Sequence, residues 1–277
     1  MKLQRPGYTE SGLCFIDYLK SLDINEKNYE TFLIKWLYST SGFYDKSITS
    51  YECDFNIKKF HPKYCKIEYE EVINSEIFNF WLSSYKNSLF NCEHLIFCLH
   101  SHISNKYDSI KQKYLATLLP KQNNLLKHFW TWHHNLYDII KDKKVLIVNG
   151  MADTICSYYL SGKTHNLMKD FPKIETIPIV TPYSFFNNGP HKNFKETLEN
   201  VYEKIIEKNF DIAIISYGSY GCILADMIEK NLNKDAITIG SGLNKMFDLK
   251  NIDITKQTLP ENFKLIENGR YWNFETT

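Results

Sequence analysis

The chain has 277 residues, 43% hydrophobic and 15% aromatic, which is enough apolar surface to offset the ordering entropy of a fold and to exclude a disordered protein. Lysine and arginine number 33 against 32 acids, and a net charge of +1 gives no bulk field that would draw the protein onto nucleic acid. The cysteines, at 14, 53, 65, 92, 98, 156 and 222, are odd in number and irregularly spaced, which argues against a disulfide framework or a zinc knuckle and for reduced thiols.

The opening MKLQRPGYTESG lacks the apolar stretch of a signal peptide, and no run approaches the roughly 20 apolar residues of a membrane span; a cytoplasmic setting is expected. Residues 1–60 carry mixed helical patterns, clearest at Phe32, Leu33, Trp36 and Leu37, and give no active-site signal. From Tyr69 to about Leu89, Val72, Ile73, Ile77, Phe80 and Trp81 share one helical face. The run LFNCEHLIFCLH that follows reads as a buried strand or a strand-to-helix turn. Residues 107–142 read as helical, broken in two by Pro120, with Phe129, Trp130, Trp132 and Tyr137 suited to packing on a sheet.

After Asp142 the texture changes. KVLIVNG (144–150) is a short β-branched apolar segment ending in Asn-Gly, the pattern of a buried parallel strand entering a functional loop. A helix is predicted from about Asp153, a second strand in TIPIVTP (176–182), and a helix over Asn193–Lys208 burying Leu198, Val201, Ile205 and Ile206. DIAIISYG (211–218) is the third strand, Cys222–Asn231 a helix, and DAITIGSG (235–242) the fourth strand. This alternation implies crossovers and a parallel sheet. The expected fold is therefore α/β, a Rossmann-like parallel sheet flanked by helices, in one domain whose residues 1–88 form a helical part and residues 89–277 the sheet-containing part.

In open α/β sheets the ligand lies outside the carboxyl ends of the strands. Four loops are expected there: Asn149–Asp153, Thr181–Ser184, Ser216–Gly221 and Gly240–Asn244. Their polar side chains, backbone N–H groups and following helix N-termini favour a phosphorylated ligand. The candidate ligand-binding residues are Asn149, Thr181, Ser184, Gly218, Ser219, Tyr220, Gly221, Gly240, Gly242 and Asn244. Taken alone, the glycines of YGSYG serve only turn geometry. A serine-nucleophile elbow is disfavoured, since Tyr217 precedes Gly218 and the last histidine is His191. His133-His134 and His100-x-His102 read as structural, because adjacent histidines on a helix point in different directions. Glu93 lies in an otherwise apolar run, where an unpaired carboxylate is costly; a basic side chain or a divalent cation is expected beside it.

The stretch DIAIISYGSYGCILADMIEKNLNKDAITIGSGLNKMFDL resembles the signature segment of the GT-D type glycosyltransferases, in which a strand ends in a G-x-Y-G turn and a later strand leads into a glycine-rich turn. KKVLIVNGMADTICSYY resembles that family's preceding strand, VTPYS its T-P-x-S loop and PENFKLIENGRYW a glycine-plus-Tyr-Trp ending. Together they span about residues 142–272 in consistent order. The resemblance implies transfer of a sugar from a nucleotide-sugar donor to a glycan or other hydroxyl acceptor. It also implies an acidic D-x-E element for Mn²⁺ or Mg²⁺ and the donor diphosphate. Asn91-Cys92-Glu93 is the candidate for that element, so Asn91 and Glu93 are the expected metal ligands, with an amide in place of the first acid. Glu93 and Asp153 are the candidate catalytic carboxylates; Asp153, at a strand-to-helix turn, has a helix cap as its plain alternative. Tyr183, Tyr217, Tyr220 and Trp272 are candidates for stacking on base or sugar. A non-catalytic nucleotide- or carbohydrate-binding relative is the alternative that Asn91 favours. A methyltransferase-like enzyme is the other, although it needs a ribose-binding carboxylate where the second strand ends in Thr181-Pro182.

Overall fold

The computed structural model describes residues 2–26, 29, 33, 36–37, 42–48, 52–53, 65–66, 68–96, 105–118, 124–125, 133–167, 170–184, 189–240, 243 and 246–247. In chain order the elements are β1 (Lys2–Gln4), α1 (Tyr8–Lys20), β2 (Glu52–Cys53), β3 (Cys65–Lys66), α2 (Tyr69–Ile73), α3 (Glu76–Phe90), β4 (His94–Leu95), α4 (Asp108–Leu118), β5 (Asn124–Leu125), α5 (His133–Ile140), β6 (Lys144–Asn149), α6 (Ala152–Leu160), α7 (Lys163–Leu167), β7 (Glu175–Val180), α8 (Phe194–Ile206), β8 (Ile212–Ile215), α9 (Gly218–Leu232) and β9 (Asp235–Thr238).

Seven of these strands form one sheet in the order β5-β4-β1-β9-β8-β6-β7, and every neighbouring pair runs parallel. The four strands expected from the apolar runs are all in it, in a Rossmann-like arrangement. The continuous hydrophobicity of β6 and β8 follows from burial on both faces. Val145, Ile147, Ile212 and Ile214 point into a core shared with α5 and α6, whereas Leu146, Val148, Ala213 and Ile215 point into a core shared with α1, α3, α4, α8 and α9. The sheet is thus wound on both faces.

Several boundaries differ from expectation. The sheet does not begin after residue 88, because β1, three residues long, lies between β4 and β9. The helix expected over 69–89 is two helices, since Ser75 caps α3 by accepting a hydrogen bond from the Phe78 N–H at 3.1 Å. A strand, β5, sits between the two helices of 107–142. α8 buries Leu198, Val201 and Ile205 as expected, while Ile206 is half exposed. β2 and β3 form a separate antiparallel pair. Cys14, Cys92, Cys156 and Cys222 are free and buried, with burial pushing the Cys222 thiol up to about 12. Among the described residues no helix is long and apolar enough to cross a membrane.

Candidate functional site

The chain leaves β6 into α6 on one face and β8 into α9 on the other, so adjacent strands send their connections to opposite sides, and their carboxyl ends form a switch point of the kind at which open α/β sheets bind ligands. A brace of hydrogen bonds sets that edge. Asn149 at the end of β6 donates from Nδ2 to the Ser216 carbonyl at 2.8 Å and accepts the Met151 N–H on Oδ1 at 2.8 Å. Ser216 then donates from Oγ to the Gly240 carbonyl at 2.8 Å. On the other side the Thr181 N–H donates to the Asn149 carbonyl, and the Tyr217 hydroxyl donates to the Pro182 carbonyl at 3.0 Å. The loops after β6, β7, β8 and β9 therefore form one contiguous rim.

Two glycines in this rim lie beneath side chains. A Cβ on Gly150 would stand 2.9 Å from the ring of the half-buried Tyr183. Gly240 has φ +51°, and a Cβ there would stand 2.7 Å from Nη1 of Arg5. Arg5 is the residue directly after β1, and its own N–H donates to Thr238 Oγ1 at 2.8 Å. The interior strand β1 thus delivers a guanidinium to the rim, and among the described residues no carboxylate forms an ion pair with it. The N-terminus of α9 opens onto the same edge. Gly218 has φ +43°, Tyr217 is the N-cap residue and no side chain caps the helix. The N–H groups of Gly218 and Ser219 lack intrahelical acceptors, whereas that of Tyr220 already donates to the Tyr217 carbonyl at 3.0 Å, and the 15-residue helix presents its positive end at the exposed Gly218.

The expected binding residues divide into several groups. Asn149 braces the rim, and Gly218 and Gly240 shape its backbone. Thr181, 2% exposed, carries a buried hydroxyl without a hydrogen-bond partner. Ser184 faces inward, donating from Oγ to the Gly42 carbonyl at 2.9 Å and bonding the Tyr220 hydroxyl. Ser219 and Tyr220 are fully buried and correct the expectation that they face ligand. Tyr220 is stacked between Phe194, at 4.0 Å, and Tyr217, at 4.4 Å, so neither tyrosine has a face left for a base or sugar. Gly221 lies inside α9 on Ile215. Gly242, Asn244, Trp272, His100 and His102 lie outside the described residues, as do the side chains of His133 and His134.

Of the carboxylates, Asp153 is exposed in the first turn of α6, whose N-cap is Met151, so it is not the capping side chain. Asn91 and Glu93 are placed differently from expectation. They are exposed and precede β4, at the amino edge of the sheet. β4 is three strands away from β8, and strand spacing and rise put Glu93 about 20 Å from Gly218. Glu93 is exposed rather than buried, and at that distance it cannot join the rim as a catalytic group. Nor do Asn91 and Glu93 fit a cation that bridges a diphosphate held at the carboxyl edge; among the described residues no group of three His, Cys, Asp or Glu is gathered for a metal.

The acid that does touch the YGSYG loop is Glu10, in the first turn of α1. It accepts a hydrogen bond from Ser219 Oγ at 3.0 Å, and Ser219 Oγ accepts in turn from Trp36 Nε1 at 2.6 Å. Burial raises the Glu10 carboxyl above its ordinary range, opposed by hydrogen bonds from its own backbone and from Ser219. Neither Glu10 nor Arg5 stood out in the sequence, because β1 offers one apolar residue, Leu3, and no periodicity. No model of a known protein family, no curated protein and no solved structure matches the chain.

Proposed function

We propose that this chain is a glycosyltransferase that binds a nucleotide-sugar donor at the carboxyl edge between β6 and β8 and passes the sugar to a hydroxyl of a glycan or similar acceptor. The observation carrying this reading is the rim at the switch point: an N-terminus of α9 with no side-chain cap, the Arg5 guanidinium and the half-exposed ring of Tyr183 stand along one edge braced by Asn149 and Ser216. The first two complement a diphosphate and the ring suits a base or sugar. The likeness of residues 142–272 to the GT-D segment supports the same donor class, and a cytoplasmic setting belongs to this reading.

In the reaction the bond from the anomeric carbon to the diphosphate oxygen breaks with its electron pair on the departing phosphate. The acceptor oxygen forms the new bond and gives up its proton. Asp153, exposed on the rim in the first turn of α6, is the base assigned to that proton.

A calorimetric panel of nucleotide sugars and nucleoside diphosphates, followed by product analysis with the donor that binds, tests the proposal. Asp153→Asn is expected to lower turnover about 100-fold or more with little change in donor affinity. Donor binding without turnover in any acceptor mixture leaves a non-catalytic nucleotide-sugar-binding protein. Absence of nucleotide-sugar binding, with saturable binding of S-adenosylmethionine, overturns the reading in favour of a methyltransferase-like enzyme.

A further inference from the structure

Resting on that reading of the carboxyl edge, we infer that the negative charge of the donor diphosphate is met by the Arg5 guanidinium, seated over Gly240, and not by a divalent cation held at Asn91 and Glu93. The topology separates the two. Arg5 follows β1 and Gly240 follows β9, neighbouring strands whose carboxyl ends lie beside that of β8. Asn91 and Glu93 precede β4 and lie at the amino edge. A cation bridging two phosphate oxygens must sit within a coordination bond of both its ligands and the phosphate, a span that the separation of about 20 Å between Glu93 and Gly218 forbids.

Three features make Arg5 the counter-charge. Its backbone is tied down by the bond from its N–H to Thr238 Oγ1, so the side chain starts from a fixed point. Its guanidinium rests against the Cα of Gly240, whose positive φ is natural to glycine and where any side chain would displace it. Among the described residues no acid pairs with it. A guanidinium stays charged at any working pH and offers a planar fork of donors to phosphate oxygens. Ser216 connects this seat to the N-terminus of α9, since its Oγ bonds the Gly240 carbonyl and it lies two residues before Gly218. One diphosphate then meets the guanidinium on one side and the first N–H groups of α9 on the other.

The test is calorimetric binding of a nucleoside diphosphate, and separately of inorganic pyrophosphate, in Mn²⁺ and in a chelator. It uses the full chain and its Arg5→Gln, Arg5→Lys and Glu93→Gln variants, with thermal melting as the check on folding. The expected result is binding that survives chelation, is unchanged in Glu93→Gln, falls about 10- to 100-fold in Arg5→Gln and is partly restored in Arg5→Lys. Binding that requires Mn²⁺, is lost in Glu93→Gln and persists in Arg5→Gln overturns the inference while leaving the donor site standing. Arg5-dependent binding of pyrophosphate with no binding of any nucleotide keeps the inference and removes the nucleotide-sugar reading. No binding of either anion sinks both.

Discussion

The serine of the YGSYG loop occupies a position that its neighbours in sequence do not announce. Ser219 Oγ accepts the Trp36 indole N–H at 2.6 Å and donates to Glu10 at 3.0 Å. Ser219→Ala therefore removes a buried acceptor from the Trp36 indole and a buried donor from the Glu10 carboxyl together, an effect of about 3 kcal/mol, measurable as a shift of the urea midpoint without a change in slope. Glu10 itself gives a signed pH dependence. Its ordinary value is 4.5 and burial raises it in the folded chain, so above pH 4.5 the folded state holds this proton more tightly than the unfolded state. The stability this adds is complete below 4.5 and is lost as pH rises through the folded value. Relative to the Glu10→Gln variant, wild-type stability should fall as pH is raised from 4.5 in urea unfolding; parallel pH curves for the two proteins would contradict it. At this scale the sequence was a poor guide. The residues of the YGSYG motif were visible as a turn, but nothing in the local pattern separates a serine aimed at a ligand from one that joins two distant helices to a tryptophan.

The two glycines of that motif look alike in sequence and act differently in the element they begin. Gly218 turns the chain from β8 into α9 at φ +43°, where a Cβ meets the following carbonyl, so Gly218→Ala is expected to destabilise by about 1–2 kcal/mol. Gly221 lies inside α9, and a Cβ there would stand 3.5 Å from Ile215 Cγ2, in ordinary contact. Replacing it with alanine removes a helix-interior glycine and should stabilise by about 0.5–1 kcal/mol. Thermal melts of the two variants should move in opposite directions, and a loss of stability in Gly221→Ala would mean that the helix packs more tightly on the sheet than the 3.5 Å contact indicates. Elements of this kind were legible where one physical cause dominated. KVLIVN and IAII are buried on both faces and read as strands. Asn193, whose side chain accepts the Glu196 N–H at 3.0 Å, marks the start of α8 at the residue expected. KLQ was illegible because three residues with one apolar side chain take their conformation from β4 and β9, which lie 91 and 234 positions away at the paired residues.

At the scale of the molecule, strand order decides which loops cooperate. Parallel order and the winding of helices on both faces follow from the alternation of elements. The position of β1 between β4 and β9 was not available from local pattern, and it brings Arg5 to the carboxyl edge beside Gly240, while Asn91 and Glu93, which precede the parallel strand β4, stay on the amino side. The consequence is a pattern of protection that no single variant reports. A nucleoside diphosphate bound at the proposed site would contact loops following β1, β6, β7, β8 and β9, which are spread along the sequence while sharing one edge. Hydrogen exchange in saturating ligand should therefore slow in peptides covering 5–10, 149–153, 181–184, 216–221 and 238–240, and stay unchanged in peptides covering 91–95. Amides of Val145–Val148 and Ile212–Ile215, which pair with strands on both sides, should exchange slowest with or without ligand, because they open only with the whole sheet. Ligand-dependent slowing at 91–95, with none at 216–221, would move the site to the amino edge. It would remove the basis for reading the carboxyl-edge loops as a donor crevice, since slowing confined there is what one contiguous braced rim requires.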